Sequence, residues 1–259
     1  MISLSLYEKN IFEKYKSNSQ IARVLTENWF NSQMYCPSCL NNSLTSYPNN
    51  KKVYDFLCEK CKTDYQLKAS SKKFASRVLD GEFNTMIKAI IYNKAPTFFL
   101  LNYSQEDWVV KNLSVIPKFF ITSSIIEKRE PLTHAARRAG WVGCNILLKK
   151  IPEEGNIQII RDEEVIDREE VNKTWREMSF LSLKNPKARG WTTDVLRCVE
   201  NLNENEFTLQ EAYACEDYLC ELYPKNKHIK DKIRQQLQIL RDNKILEFIG
   251  RGKYHLINK

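Results

Sequence analysis

Apolar and polar positions recur along this chain with two different periods. In residues 7–34, Ile11, Phe12, Tyr15, Ile21, Val24, Leu25, Trp29 and Phe30 return at roughly helical spacing, which predicts one amphipathic helix or two. Val53–Cys58 and Tyr65–Lys68 are rich in Val, Tyr, Phe and Leu and predict the two strands of a hairpin. A short helix is predicted over 82–93. Strands follow at Thr97–Tyr103, Trp108–Ile116, Trp141–Leu148 and Ile157–Arg161, the first apolar enough for a sheet centre. Residues 167–183 return to helical spacing, with Asp167 placed as the cap. The stretch Lys184–Gly190 (KNPKARG) combines Pro, Gly and positive charge and predicts a linker.

Beyond that stretch the pattern changes. Helices are predicted at Thr192–Leu202, at Leu209–Leu222 capped by Thr208 and stopped by Pro224, and at 227–243 with Ile229, Ile233, Leu237 and Leu240 as the apolar stripe. Ile245–Ile249, a Gly250-Arg251-Gly252 turn and Lys253–Ile257 then form a short hairpin. Three helices and a hairpin with a basic turn are the pattern of a winged helix-turn-helix, whose third helix enters the major groove. The polar face of that helix carries Lys227, Lys230, Arg234, Gln235, Gln238 and Arg241; His228 beside them and Arg251 and Lys253 at the hairpin turn complete the candidate DNA contacts. The division expected is a mixed α/β domain over 1–183, a linker over 184–190 and a winged-helix domain over 191–259.

Charge sharpens this reading. The 259 residues carry 40 Lys and Arg against 32 Asp and Glu, a net charge of +8. A charged helix face is usually just solvated. Here, however, residues 223–259 hold ten basic residues against three acids, while 191–222 hold one against eight. Such polarisation points one basic face at phosphates. Hydrophobic residues at 42% exclude a disordered chain, and no apolar run approaches the ~18 residues that span a bilayer. The N-terminal stretch has no basic head before an apolar run, so no secretory signal is expected, nor a membrane partner.

Eight cysteines are present. Four form Cys36-x-x-Cys39 and Cys58-x-x-Cys61, separated by eighteen residues, a spacing that predicts a four-thiolate zinc site. Each pair closes a tight knuckle with converging sulfurs, and two knuckles complete a tetrahedron. Four thiolates leave no open position, so the zinc expected is structural. Cys144, Cys198, Cys215 and Cys220 lack such spacing and read as ordinary thiols.

The zinc cysteines frame a second constellation. On a strand, Gln66 and Lys68 share a face and Leu67 points the other way. If the neighbouring strand sets Asp55 on that face, an acid, an amide and an ammonium meet at one edge. A carboxylate can hold Mg²⁺, and a lysine beside it can orient an attacking water. Taken alone, such a trio is also what the polar face of a half-buried hairpin looks like. Cys58 and Cys61, however, lie in the loop joining the two strands, so zinc would clamp the tip of the hairpin and fix the register of the trio.

These segments together resemble the DpnI-type restriction endonucleases. The resemblance runs through YKSNSQIARVLTENW, YCPSC, DFLCEKC and LDGEFNTMIKA, and is most specific in LTHAARRAGWVGCNI and HIKDKIRQQLQILRDNKILEFIGRGKY. It implies a PD-(D/E)xK nuclease core with an inserted four-cysteine zinc site, followed by a winged helix that also reads the site. The implied activity is Mg²⁺-dependent cleavage of duplex DNA at GATC whose adenine is N6-methylated, cut bluntly between that adenine and the thymine. The implied setting is a bacterial cytoplasm with unmodified GATC sites. By position, Asp55 and Lys68 match the family's catalytic acid and lysine, and the four spaced cysteines its zinc ligands. Gln66 departs from the family's glutamate, so the alternative is a non-cleaving or inactivated reader of methylated DNA. Glu27 and Asp64 are candidate compensating acids for the metal.

The resemblance also places an aromatic residue at Trp141 against the methylated adenine. An N6-methyl group puts apolar surface into the major groove in place of a hydrogen-bond donor, which an aromatic face suits. Arg137 and Arg138, in the same AARRAGW segment, are candidate phosphate contacts. Without the resemblance, Trp141 reads as a core residue at the start of a strand. A single chain with two reading modules is expected to act as a monomer.

Overall fold

The structure is a computed structural model and describes residues 2–4, 10–48, 53–202 and 204–257. Residues 7–9 of the expected N-terminal helix lie outside these. Helices α1 (Ile11–Lys14) and α2 (Asn18–Gln33) lead into strands β1 (Thr45–Ser46), β2 (Phe56–Leu57), β3 (Asp64–Ser70) and β4 (Arg77–Glu82). Helix α3 (Phe83–Ile91) precedes β5 (Thr97–Ser104) and β6 (Val109–Ile116). Strands β7 (Ile126–Lys128), β8 (Gly143–Leu147), β9 (Ile157–Arg161) and β10 (Glu164–Val165) come before α4 (Arg168–Glu177). The C-terminal lobe comprises α5 (Pro186–Glu200), β11 (Glu206–Thr208), α6 (Leu209–Ala212), α7 (Glu216–Leu222), α8 (Ile229–Asp242), β12 (Leu246–Gly250) and β13 (Lys253–Leu256).

Among the described residues, the N-terminal lobe holds a seven-stranded sheet in the order β1-β2-β3-β5-β6-β9-β10 and a separate three-stranded sheet, β4-β8-β7. The large sheet is mixed: β3 runs parallel to β5, while β2–β3 and β5–β6 are antiparallel. All of β5 except its last residue is buried, as expected of the near-continuous apolar run Thr97–Tyr103. Phe30 of α2 packs on Phe56 and Phe99 with ring centroids 4.6 and 4.7 Å away, so the helix anchors beside the hairpin. The second sheet was not visible in the periodicity, because β4 and β7 are short and mix burial with exposure. The strand expected from Trp141 starts at Gly143 and belongs to this smaller sheet.

The linker expected over 184–190 is corrected by the structure. Residues 186–190 are the first turn of α5, and Arg189 is 1% exposed. Asn185 caps the helix by accepting from the Ala188 N–H at 2.9 Å, and Pro186 occupies the first helical position. Asn followed by Pro is a helix-start pair, since proline lacks an N–H that would be unsatisfied there anyway. The expected helix at 167–183 ends at Glu177 and continues as a 3₁₀ turn, Ser179–Leu183. Asp167 does cap it, accepting from the Glu169 and Glu170 N–H groups.

Helix α5 is the seam between the lobes. The Asp194 carboxylate, 2% exposed, accepts from Ser124 Oγ at 2.7 Å and from Tyr223 Oη at 2.6 Å. Burial pushes its carboxyl up from 3.8 to about 6. The native state therefore keeps a proton that the unfolded chain releases between about pH 3.8 and 6. This group's contribution to stability is full below that window and falls by about 3 kcal/mol as pH rises through it. Asp194→Asn should flatten that part of the stability–pH curve, as read by urea unfolding at pH 4, 5, 6 and 7. An unchanged slope in the variant would remove Asp194 as its source.

The C-terminal lobe has the expected winged-helix plan with two refinements. The helix predicted at 209–222 is divided by a 3₁₀ turn, Tyr213–Cys215, into α6 and α7. The predicted hairpin β12–β13 gains a third strand, giving the order β11-β13-β12. Thr208 caps α6 in a reciprocal box with Glu211. Ile229, Ile233, Leu237 and Leu240 are all buried, as their spacing requires.

Candidate functional site

The four cysteines converge. Their sulfur atoms all lie within 4.8 Å of one another, with Cys36–Cys61 at 3.5 Å and Cys39–Cys58 at 3.6 Å. A zinc–thiolate bond of ~2.3 Å gives tetrahedral sulfur edges of about 3.8 Å, so the set fits that ion. The two knuckles repeat one local fold. The Leu40 and Lys62 N–H groups donate to the Cys36 and Cys58 carbonyls at 2.8 Å, and both donors have positive φ, 58° and 56°. The Cys36 and Cys58 N–H groups donate in turn to the Asn41 and Thr63 carbonyls. Contact between Cys36 and Cys61 lowers the Cys61 thiol and raises that of Cys36, so the two sulfurs share a proton between them. Asn172 of α4, which the sequence did not flag, donates to the Pro37 and Ser38 carbonyls at 2.7 and 3.0 Å and fixes the first knuckle to the lobe. Among the described residues, no other group of three or more His, Cys, Asp or Glu brings its donor atoms together in this way.

Cys58 and Cys61 sit in the turn between β2 and β3. The register pairs Phe56 with Tyr65 and Leu57 with Asp64; continuing it by one residue sets Asp55 opposite Gln66. The Asp55 N–H donates to the Tyr65 carbonyl at 2.8 Å, and the Leu67 N–H donates to Asp55 Oδ2 at 2.8 Å. Asp55 is thus oriented by the strand that carries Gln66 and Lys68. Burial raises its pKa, nearby Glu27 adds to this, and the Leu67 N–H and Lys68 pull the other way. A carboxylate so disfavoured as a lone anion is matched by a cation beside it. Asp64 accepts from Tyr47 Oη at 2.7 Å, and Glu27 pairs with Arg23 at 2.8 Å while standing near enough to Asp55 to raise its pKa.

Lys68 faces a cavity of about 440 Å³ lined by Val53, Gln66, Lys68, Asp80, Gly81, Glu82, Thr85, Met86, Ala89, Arg138 and Trp141. Its ammonium pairs with Asp80 at 2.5 Å and lies 5.8 Å from the Phe98 ring. Trp141 is half-buried at the cavity wall rather than in the core, with the Arg138 guanidinium 4.6 Å from its ring. A Cβ on Gly143 would stand 2.8 Å from the indole, so the absent side chain lets Trp141 lie over the start of β8. Arg137 and Arg138 are exposed, and neither has an ion-pair partner among the described residues. Asp80, Glu82 and Met86 were not singled out from the sequence; nothing in their spacing marks them.

In the winged helix, Lys227, His228, Lys230, Arg234, Gln235, Gln238, Arg251 and Lys253 are all exposed. Lys230 pairs with Glu216 at 3.1 Å, and Arg234 lies 5.7 Å from the Tyr213 ring. The wing turn is held where the Leu209 N–H donates to the Gly252 carbonyl at 2.8 Å. A cleft of about 590 Å³ beside this lobe is lined by Lys187, Trp191, Tyr223, Lys225, Lys227 and His228 among others, with no carboxylate in its wall.

An α/β lobe with a four-cysteine cluster and a cavity lined by Lys68 and Asp80, followed by a winged helix-turn-helix, defines a two-lobed DNA-binding protein. The chain belongs to the DpnI, or Dam-replacing, family, whose pattern matches residues 4–184; the Dam-replacing helix-turn-helix domain matches residues 187–256. This is a restriction endonuclease family, so the chain is a nuclease by descent and its C-terminal lobe a DNA-binding one. The boundary between the matches falls where Asn185 caps α5. Among the described residues no helix is long and apolar enough to cross a membrane.

Proposed function

We propose that this protein is a methyl-directed type II restriction endonuclease that hydrolyses duplex DNA at GATC carrying N6-methyladenine and leaves blunt ends. The carrying observation is the shared cavity: one concave wall holds Gln66 and Lys68, and another holds Trp141 and Arg138. A methylated base read by the indole and a phosphodiester beside Lys68 would then belong to one bound duplex. We read the hairpin as a variant of the PD-(D/E)xK pattern, with Asp55 and Lys68 at signature positions and Gln66 where the pattern has a second acid. In this reading the protein acts as a monomer in a bacterial cytoplasm whose own GATC sites are unmodified.

The donor set suits Mg²⁺, which needs one or two carboxylates and keeps several waters. Asp55 would hold it with its carboxylate and Gln66 with its amide oxygen; a bound Mg²⁺ would stabilise charge on the cleaved phosphate. Asp55 is held in place by the Leu67 N–H. Lys68 presents N–H donors to the attacking water and the phosphate oxygens. Water adds to phosphorus and gives up a proton to solvent, a backbone P–O bond breaks, and the leaving oxygen takes up a proton from solvent. Arg137, Arg138 and the exposed basic residues of α8 and the wing grip flanking phosphates.

Gln66 favours a second reading, a reader that binds methylated DNA without cutting it, because an amide brings no charge to a hard cation. Incubating wild type and Gln66→Glu with Mg²⁺ and either adenine-methylated or unmethylated plasmid separates the two. The endonuclease reading expects wild type to linearise the methylated plasmid. Cutting by Gln66→Glu alone would establish the reader, and cutting of unmethylated plasmid alone would overturn methyl direction.

A further inference from the structure

The Lys68–Asp80 ion pair joins the two sheets of the N-terminal lobe. Lys68 stands on β3 of the large sheet and Asp80 on β4 of the small one, and their side chains keep only 20% and 5% exposure. The pair is therefore sheltered from the screening that leaves surface ion pairs nearly neutral. Strand β4 pairs with β8, which sets Asp80 opposite Cys144, three residues beyond Trp141. The acid that contacts Lys68 is thus built into the strand pair whose entrance carries Trp141. Glu82 also faces the cavity, but its carboxylate is taken up by the Asn84 and Thr85 N–H groups at the start of α3.

We propose that Asp80 is a positioning residue for Lys68 and ties the lysine's placement to the wall that reads the base. The inference rests on the endonuclease reading above. A free lysine side chain samples many rotamers. An anionic partner at the cavity wall removes much of that freedom before DNA arrives. Gln66, a neutral amide on the same strand, cannot hold an ammonium in this way. Lys68 enters the reaction already placed, and displacements of about 1 Å at such a group cost on the order of 100-fold in rate.

The test is Asp80→Asn, made in wild type or in Gln66→Glu, whichever cuts. The expected result is a fall in kcat of about 100-fold, with KM and affinity for methylated duplex unchanged; the melting temperature should fall, because the variant leaves a sheltered ammonium without its counter-charge. Asp80→Glu, which keeps the charge, should recover part of the rate. Competitive amine labelling read by mass spectrometry should show Lys68 reacting faster in Asp80→Asn, a readout independent of cleavage. An Asp80→Asn protein that cuts as fast as its parent overturns this proposal alone. A parallel loss of kcat and affinity also overturns it, leaving Asp80 a merely structural role. If neither parent cuts methylated DNA, the endonuclease reading falls and this proposal with it.

Discussion

Asp55→Asn should abolish cleavage of methylated DNA while leaving its binding intact. The substitution keeps the shape of the side chain and an oxygen that can accept from the Leu67 N–H, so the hairpin should keep its geometry. What it removes is the negative charge that holds a divalent cation. Lewis-acid stabilisation of a phosphoryl transition state is worth several kcal/mol, which at about 1.4 kcal/mol per tenfold is a loss of about 1000-fold or more. Burial disfavours the ionised Asp55, so the neutral replacement should not lower the melting temperature. Single-turnover cleavage, fluorescence anisotropy with methylated duplex and a melting curve check the three parts separately. Cleavage within tenfold of the parent would remove Asp55 from the metal site.

Stripping zinc should have the other large effect, and of a different kind: fold and cleavage should fail together. Structural zinc in small domains contributes ~10–16 kcal/mol of apparent binding free energy. The whole stability of a typical domain is only about 5–15 kcal/mol. Here part of the loss is offset, because Phe56 and Tyr65 are buried in the core and Asn172 holds the first knuckle from α4. A net loss of even ~5 kcal/mol would lower the melting temperature by roughly 10–20 °C in a domain of this size. The hairpin tip should open first, releasing the register that sets Asp55 opposite Gln66. Cys58→Ser should reproduce the effect without a chelator. Metal analysis should find one zinc per chain in the parent and much less in the variant. A Cys58→Ser protein with native melting behaviour and activity would contradict the clamp.

Local rules of sequence account for much of this molecule. The apolar stripe of α8, the buried run of β5, the caps at Asp167 and Thr208 and the two cysteine knuckles follow from spacing and residue type, because each depends on neighbours within a few positions. The same rules misled at 184–190, where Asn and Pro marked a helix start and the run of charge suggested a linker. Strands β4 and β7 escaped notice because short strands in a small sheet carry little period of their own.

By itself the sequence determined the four-cysteine site, the polar hairpin, the winged helix and, through its blocks of resemblance, the family. Only the tertiary structure showed that Lys68 meets Asp80 across two sheets and that Trp141, which the residue pattern alone would have put in the core, shares one cavity wall with them. The physical reason is that these meetings depend on how two sheets pack against each other. Contacts between sheets join residues with no fixed separation along the chain, so no periodicity or motif spacing records them.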